Sequence, residues 1–169
     1  MKIDLSRPQV TVSLSPLLES YCRFVFGTPP DEKEISINRK KDMGKLIHAH
    51  ILSKKYAIKG PSIKNPVTVI LPVNPENQNG ILSGFLYVDR WGMQKIQDGI
   101  ENEFRKFVER RYELGYRKKY EQREIIEAIL RGLNVRNNAA NFAAIKKIDY
   151  RNHRKTQEIQ FSELLSVDI

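Results

Sequence analysis

Residues 67–73 read Val-Thr-Val-Ile-Leu-Pro-Val, the longest apolar run in the chain. Its β-branched and aliphatic side chains would lie on both faces of an extended segment, which is typical of a strand covered on both sides. Pro72 has no backbone N–H to donate, so pairing on one side is expected to end there. The run therefore predicts a central strand, around which the N-terminal half of the chain is arranged.

The residues before this strand predict a further strand and a helix. Apolar and polar residues alternate over Gln9–Leu14, the pattern of a half-buried strand. Ser15 is a suitable N-cap and is followed by proline, so a short amphipathic helix is expected over Pro16–Phe26, ending at Gly27. Cys22 falls on the apolar side of this helix and is expected to be a core residue, not a nucleophile.

A second strand and helix are predicted between Gly27 and the central strand. Glu34–Ile37 alternates, and Asp42 is a suitable N-cap for a helix that would run to about Ser53. His48 and His50 lie two residues apart on that helix. They would point to different sides, so they are not predicted to share a metal ion.

The residues after the central strand predict a hairpin and an antiparallel partner strand. Asn79-Gly80 favours a hairpin, so Ile81–Val88 is expected to be the antiparallel partner of 67–73. The predicted fold class is α+β: residues 1–88 form a small, mostly antiparallel sheet with packed helices. A basic helical C-terminal half, residues 89–169, follows and is expected to pack with this body as one unit.

The C-terminal half has helical periodicity from Asp89 onward. Trp91 is expected to pack at the first turn, and the helical stripe of apolar residues consists of Ile96, Ile100, Phe104, Phe107 and Val108. Gly115 predicts a kink or a break before a second helix at about Arg117–Arg131; one kinked helix and two helices fit equally well. Tyr120 is assigned to the apolar side of that second helix, and a third is predicted over Asn138–Lys147.

Positive charge is concentrated in this half. Arg105–Lys155 holds fifteen Lys and Arg residues against six Asp and Glu, a balance of +9 that equals the net charge of the whole chain. With a pI near 9.7, the composition predicts an acidic partner, nucleic acid first and an anionic membrane surface second.

A candidate helix-turn-helix covers Arg123–Lys147. Ala128, Gly132 and Leu133 match the small residue, turn glycine and following apolar residue of that motif. The second helix departs from it, because Asn138 and Asn141 stand where apolar residues are expected. The alternative is an αα-hairpin whose charged faces are solvated.

The candidate interface has two kinds of residue. Asn137, Asn138 and Asn141 would face base edges, since asparagine pairs bidentately with adenine. The predicted phosphate contacts are cationic: Arg117, Lys118, Lys119, Lys146, Lys147, Arg151, Arg154 and Lys155. Tyr116 and Tyr120 flank the first three and could stack on bases, although packing tyrosines are more common.

No catalytic signature is apparent, so the chain is not predicted to be an enzyme and no cofactor or metal is expected. Glu121, Glu124 and Glu127 lie three residues apart and could hold a divalent ion, but a solvated acidic stripe is the favoured interpretation. A single cysteine allows no internal disulfide, and no signal-peptide or membrane-spanning stretch is evident, so a cytoplasmic protein is expected.

Two functional hypotheses follow. The first is a non-enzymatic protein that binds double-stranded DNA through the basic helical region, such as a phage or mobile-element regulator or accessory factor. The second is a structural subunit of a larger virion or nucleoprotein assembly, which would form a homo-oligomer or a larger protein complex.

Overall fold

A computed structural model describes residues 7–57, 62–73 and 84–149, and these divide between two compact units, Met1–Glu103 and Phe104–Ile169. The α+β class is confirmed. The division between units falls within one long helix. The predicted boundary at residue 88 stays a prediction.

The first unit contains a three-stranded sheet with β4 (Pro66–Ile70) at its centre. β1 (Gln9–Ser13) pairs antiparallel with β4, and β2 (Ile35–Ser36) pairs parallel with the other edge of β4. The prediction of a central strand is therefore confirmed. The strand carries Val67 and Val69 into the core, where they are 4% and 1% exposed.

The second sheet corrects the predicted hairpin. β3 (Leu52–Lys54) pairs antiparallel with β5 (Phe85–Tyr87), so residues 85–87 do not return against the central strand. The physical reason is that β1 and β2 already occupy both edges of β4. The predicted turn at Asn79-Gly80 lies outside the described residues.

Helix α1 (Pro16–Phe26) has the predicted bounds, because its end signals are local. Ser15 caps the N-terminus by accepting a hydrogen bond from the Leu18 N–H, and Gly27 ends the helix in the left-handed region at φ 67°. Cys22 is buried, as predicted. Burial raises the pKa of its thiol to about 12, with a smaller contribution from the negative charge of Glu19. The thiolate nucleophile is thereby disfavoured.

Helix α2 (Asp42–Ala49) is shorter than predicted and is preceded by Lys41 at the N-cap, while Asp42 is its first helical residue. The segment expected to continue the helix to Ser53 instead pairs as β3 with β5. The buried residues of α2 are Met43, Gly44 and Ile47. A tertiary pairing has overridden the local helical pattern.

Helix α3 (Arg90–Arg117) begins where Asp89 caps it by accepting a hydrogen bond of 2.6 Å from the Gly92 N–H. Its predicted apolar stripe is largely confirmed, with Ile96, Ile100, Phe104 and Val108 all buried. Trp91 is an exception. It is 64% exposed and forms a T-shaped contact with the His50 ring instead of packing into the core.

Two further helices lie in the described part of the second unit: α4 (Gln122–Gly132), and α5 over residues 139–149. α3 and α4 are separate helices, so of the two predicted alternatives the two-helix arrangement is observed and the single kinked helix is not. Ile125, Ile126, Ile129 and Leu130 are buried as predicted, whereas Tyr120 is 53% exposed because it lies in the turn before the helix. Ile145 is the fully buried apolar residue of α5.

Candidate nucleic-acid interface

A buried carboxylate joins α3, α4 and α5, the helices described in the second unit. Asp149 on α5 is 2% exposed, and it accepts a 2.6 Å hydrogen bond from the Tyr116 hydroxyl on α3. It also accepts a hydrogen bond from the side-chain amide of Gln122 at the start of α4. A buried carboxylate is tolerated when donors satisfy it, so these partners fix the relative positions of three helix ends.

Two tyrosines extend this junction along α3. The Tyr112 hydroxyl donates to the backbone carbonyl of Ile145 at 3.2 Å, and the rings of Tyr112 and Tyr116 stack with centres 5.8 Å apart. Burial raises the pKa of both phenols, and Asp149 raises it further by its negative charge and, for Tyr116, by their hydrogen bond. Both hydroxyls are therefore protonated donors at neutral pH.

The same contacts define the direction of the helices. Tyr112 meets residue 145 and Tyr116 meets residue 149, so one turn of α3 lies beside one turn of α5 with both running the same way. The end of α3 and residues 145–149 of α5 thus lie at one end of the second unit.

The described cationic residues of the interface are found at this end. Lys118 and Lys119 directly follow α3, and Lys146 and Lys147 lie beside Ile145 in α5; all four are exposed. Arg117 is exposed too and is bonded to Glu113 at 2.9 Å, an ion pair in which both side chains are about 70% exposed. Such a pair contributes little stability, so a phosphate could replace the glutamate.

Lys119 adopts a left-handed conformation at φ 63° that ends α3. Its N–H donates to Tyr116 O at 2.9 Å, and the Tyr120 N–H donates to Gly115 O at 3.0 Å. These two bonds form a Schellman motif, in which glycine is the usual left-handed residue. The lysine cluster therefore lies on a defined turn.

The asparagines occupy the other end of α5. Asn138 is its N-cap, with Oδ1 accepting the Asn141 N–H at 2.8 Å, and the Asn141 side-chain amide donates to Arg136 O at 2.9 Å. Asn137 is exposed. Asn138 is eleven residues from Asp149, a rise of about 16 Å along the helix. The structure does not bring the predicted base-reading residues together with the cations.

The hydrogen bond between Gln122 and Asp149 also bears on the candidate helix-turn-helix. Gln122 begins α4 and Asp149 closes the described part of α5, so the ends far from the connecting turn are in contact. Helices crossing at 90–120° would hold those ends apart. The contact favours the αα-hairpin arrangement. Arg151, Arg154 and Lys155 lie outside the described residues, and their predicted roles stay predictions.

The acidic stripe of α4 has local partners. Glu121 and Glu124 form a reciprocal capping box, with the Glu121 N–H donating to Glu124 Oε2 at 2.8 Å. Glu127 pairs with Arg123 at 2.9 Å. Among the residues that the structure describes, no three His, Cys, Asp or Glu side chains are grouped as metal ligands.

A second cationic feature, in the first unit, was not predicted as a site. An open depression is lined by Asn38, Arg39, Lys40, Lys45, His48, Ala49 and Pro72. Partial burial and the nearby charge of Arg39 lower the pKa of His48. The run Arg39-Lys40-Lys41 was the available sequence signal for this depression.

Within the described ranges, none of the helices combines the length and the apolar character needed to cross a membrane. No protein-family model, curated protein or solved structure matches this chain.

Proposed function

We propose that this protein binds double-stranded DNA without catalysing a reaction, and that it does so mainly through phosphate contacts made by the second unit. The observation that supports this most directly is the placement of Arg117–Lys119 and Lys146–Lys147 around the junction at which Asp149 joins α3, α4 and α5. Exposed cations held on a fixed framework suit a phosphate backbone, whose charges are regularly spaced.

Recognition of base sequence is a separate part of the proposal from phosphate binding. In a helix-turn-helix mode the start of α5 would enter the major groove and present Asn137, Asn138 and Asn141. Asn138 and Asn141 instead make capping bonds within the chain, and reading a base would require them to exchange these bonds. We therefore expect affinity to depend on the cations more than on sequence. A regulator or accessory factor of a phage or mobile element would be one such protein.

Charge reversal with a matched control tests the proposal. Lys118→Glu/Lys119→Glu changes the net charge by four in the second unit, and Lys33→Glu/Lys40→Glu makes the same change in the first. All four lysines are exposed. We expect the first variant to lose at least about tenfold more duplex affinity than the second in an electrophoretic shift assay, since local phosphate contacts add to the effect of net charge.

Equal losses in the two variants would show that only overall charge matters, and the proposed interface would be wrong. The structural-subunit alternative makes a different prediction, namely a defined large oligomer that sediments as such without DNA. Asn138→Ala/Asn141→Ala separates the modes of binding: it should relax sequence preference only if base readout occurs.

A further inference from the structure

The two-stranded sheet of the first unit exposes large apolar side chains on one face. Leu52 pairs with Tyr87, and Lys54 pairs with Phe85. Opposed residues of antiparallel strands share a face, as do residues two apart on one strand. Leu52, Lys54, Phe85 and Tyr87 therefore form one surface, which we call the aromatic face. Leu52 is 40% exposed and Phe85 52%.

Cations lie against the rings of this region. Lys54 Nζ is 5.2 Å from the centre of the Tyr87 ring, a diagonal contact that confirms the shared face. Lys95 Nζ is 5.6 Å from the centre of the Trp91 ring. Both distances are within the range of cation–π attraction, so positive charge lies directly beside the half-buried ring of Tyr87 and the exposed ring of Trp91.

Trp91 is connected to the two-stranded sheet through His50. It follows Tyr87 by four residues, and its ring meets that of His50, two residues before Leu52, with centres 5.3 Å apart. Because Leu52 and Tyr87 pair, the two chain segments join the sheet at the same end. We therefore infer that the indole, which is 64% exposed, lies at the Leu52–Tyr87 end of the sheet.

We propose that the aromatic face, together with Trp91, binds single-stranded nucleic acid. Bases would stack on Phe85, Tyr87 and Trp91, while phosphates would meet Lys54 and Lys95. Exposed rings interleaved with cations are the usual combination for single strands, and stacking tolerates any base. An apolar protein partner is a poorer match, because it would desolvate both lysines without supplying an opposite charge.

This inference is independent of the proposed duplex binding, because every residue it uses belongs to the first unit. Bases within a duplex are already stacked and paired, so their faces are not available to these rings. The two activities therefore have different ligands and different residues, and one can fail without the other.

Trp91 is the only tryptophan in the chain, so fluorescence excited at wavelengths absorbed by indole and not by the seven tyrosines reports on this site alone. Titration with oligo(dT) of about 15 nucleotides, a length within the range of single-strand sites, should quench its emission and saturate. Inorganic polyphosphate at equal phosphate concentration supplies charge without bases. It should leave the emission nearly unchanged.

Ring removal tests the stacking. Phe85→Ala should weaken binding of a labelled oligo(dT) by roughly 5- to 150-fold in fluorescence anisotropy. Phe85→Leu retains apolar bulk but lacks the ring, and it should weaken binding as well. This variant provides the test of stacking if Phe85→Ala fails to fold. Phe24→Ala removes a ring that is 46% exposed on α1; it should change affinity by about twofold or less. Circular dichroism establishes that each variant is folded.

Three results would overturn the inference: unchanged Trp91 emission with oligo(dT), equal quenching by polyphosphate, or unaltered affinity in folded Phe85→Leu. Self-association that alters the emission without nucleic acid would identify a protein contact instead. Lys118→Glu/Lys119→Glu should weaken duplex binding and leave the oligo(dT) quenching intact.

Discussion

The hydroxyl of Tyr116 donates a 2.6 Å hydrogen bond to the carboxylate of Asp149, 33 residues further along the chain. This bond joins the last turn of α3 to the described end of α5 and places two cationic clusters at one end of the second unit. Because the carboxylate is 2% exposed, we expect the bond both to stabilise the fold and to position the cationic residues.

Tyr116→Phe should lower the free energy of unfolding by about 1–3 kcal/mol, because it removes a donor from a buried carboxylate. Urea denaturation followed by circular dichroism measures the change. Tyr120→Phe is the matched control: that residue is 53% exposed and the same substitution should change stability by less than about 0.5 kcal/mol. Equal effects in the two variants would show that the junction has no special role.

Gly115→Ala should destabilise the protein by about 1–3 kcal/mol through overpacking. A Cβ at this position would lie 2.5 Å from both Cγ1 and Cδ1 of Ile125, which is buried between α3 and α4. Gly132→Ala provides the comparison, since a Cβ there meets nothing within 4 Å and alanine favours the helix. Thermal unfolding should give a lower melting temperature for Gly115→Ala than for Gly132→Ala. Unchanged stability in Gly115→Ala would mean that Ile125 can move aside.

Lys119→Gly should stabilise the protein by about 0.5–1 kcal/mol, because the native φ of 63° is strained for any residue with a Cβ. The larger entropy of glycine in the unfolded chain offsets part of this gain. Lys118→Gly, at the preceding position without positive φ, should not stabilise. Chemical denaturation of the two variants decides whether the left-handed turn is the cause.

The raised pKa values of Tyr112 and Tyr116 predict a loss of stability in alkali. In the unfolded chain a phenol ionises near pH 10, whereas both hydroxyls remain protonated above that pH in the folded state. Their contribution is complete below pH 10 and falls as pH rises further, by up to about 1.4 kcal/mol per pH unit for each phenol. Tyr116→Phe should reduce this slope, measured as unfolding free energy between pH 9 and 11.

An unchanged slope in Tyr116→Phe would contradict the role assigned to that phenol.

The parts of the fold that were predicted correctly from sequence are those determined by residues close together in the chain. The bounds of α1 follow from Ser15, Pro16 and Gly27, and the central strand follows from the β-branched and aliphatic run at 67–73. The partner of Phe85–Tyr87 could not be predicted in this way. Strand pairing is non-local, and β3 lay in a segment whose local pattern favoured a helix.

The candidate site shows the same difference. The cationic residues were evident from composition, but the junction that positions them was not, because Asp149 finds its partners 27 and 33 residues away. Asn138 illustrates the converse. Asparagine is suited both to base readout and to capping, and in the structure it caps α5.

The salt dependence of duplex DNA binding tests the central claim most directly. Five cations, Arg117, Lys118, Lys119, Lys146 and Lys147, predict a plot of log affinity against log salt concentration with a slope of roughly −4 to −5. Lys118→Glu/Lys119→Glu should make that slope shallower by about 2, whereas Lys33→Glu/Lys40→Glu should leave it unchanged. An identical slope in all three proteins, or no duplex binding at low salt, would contradict the account.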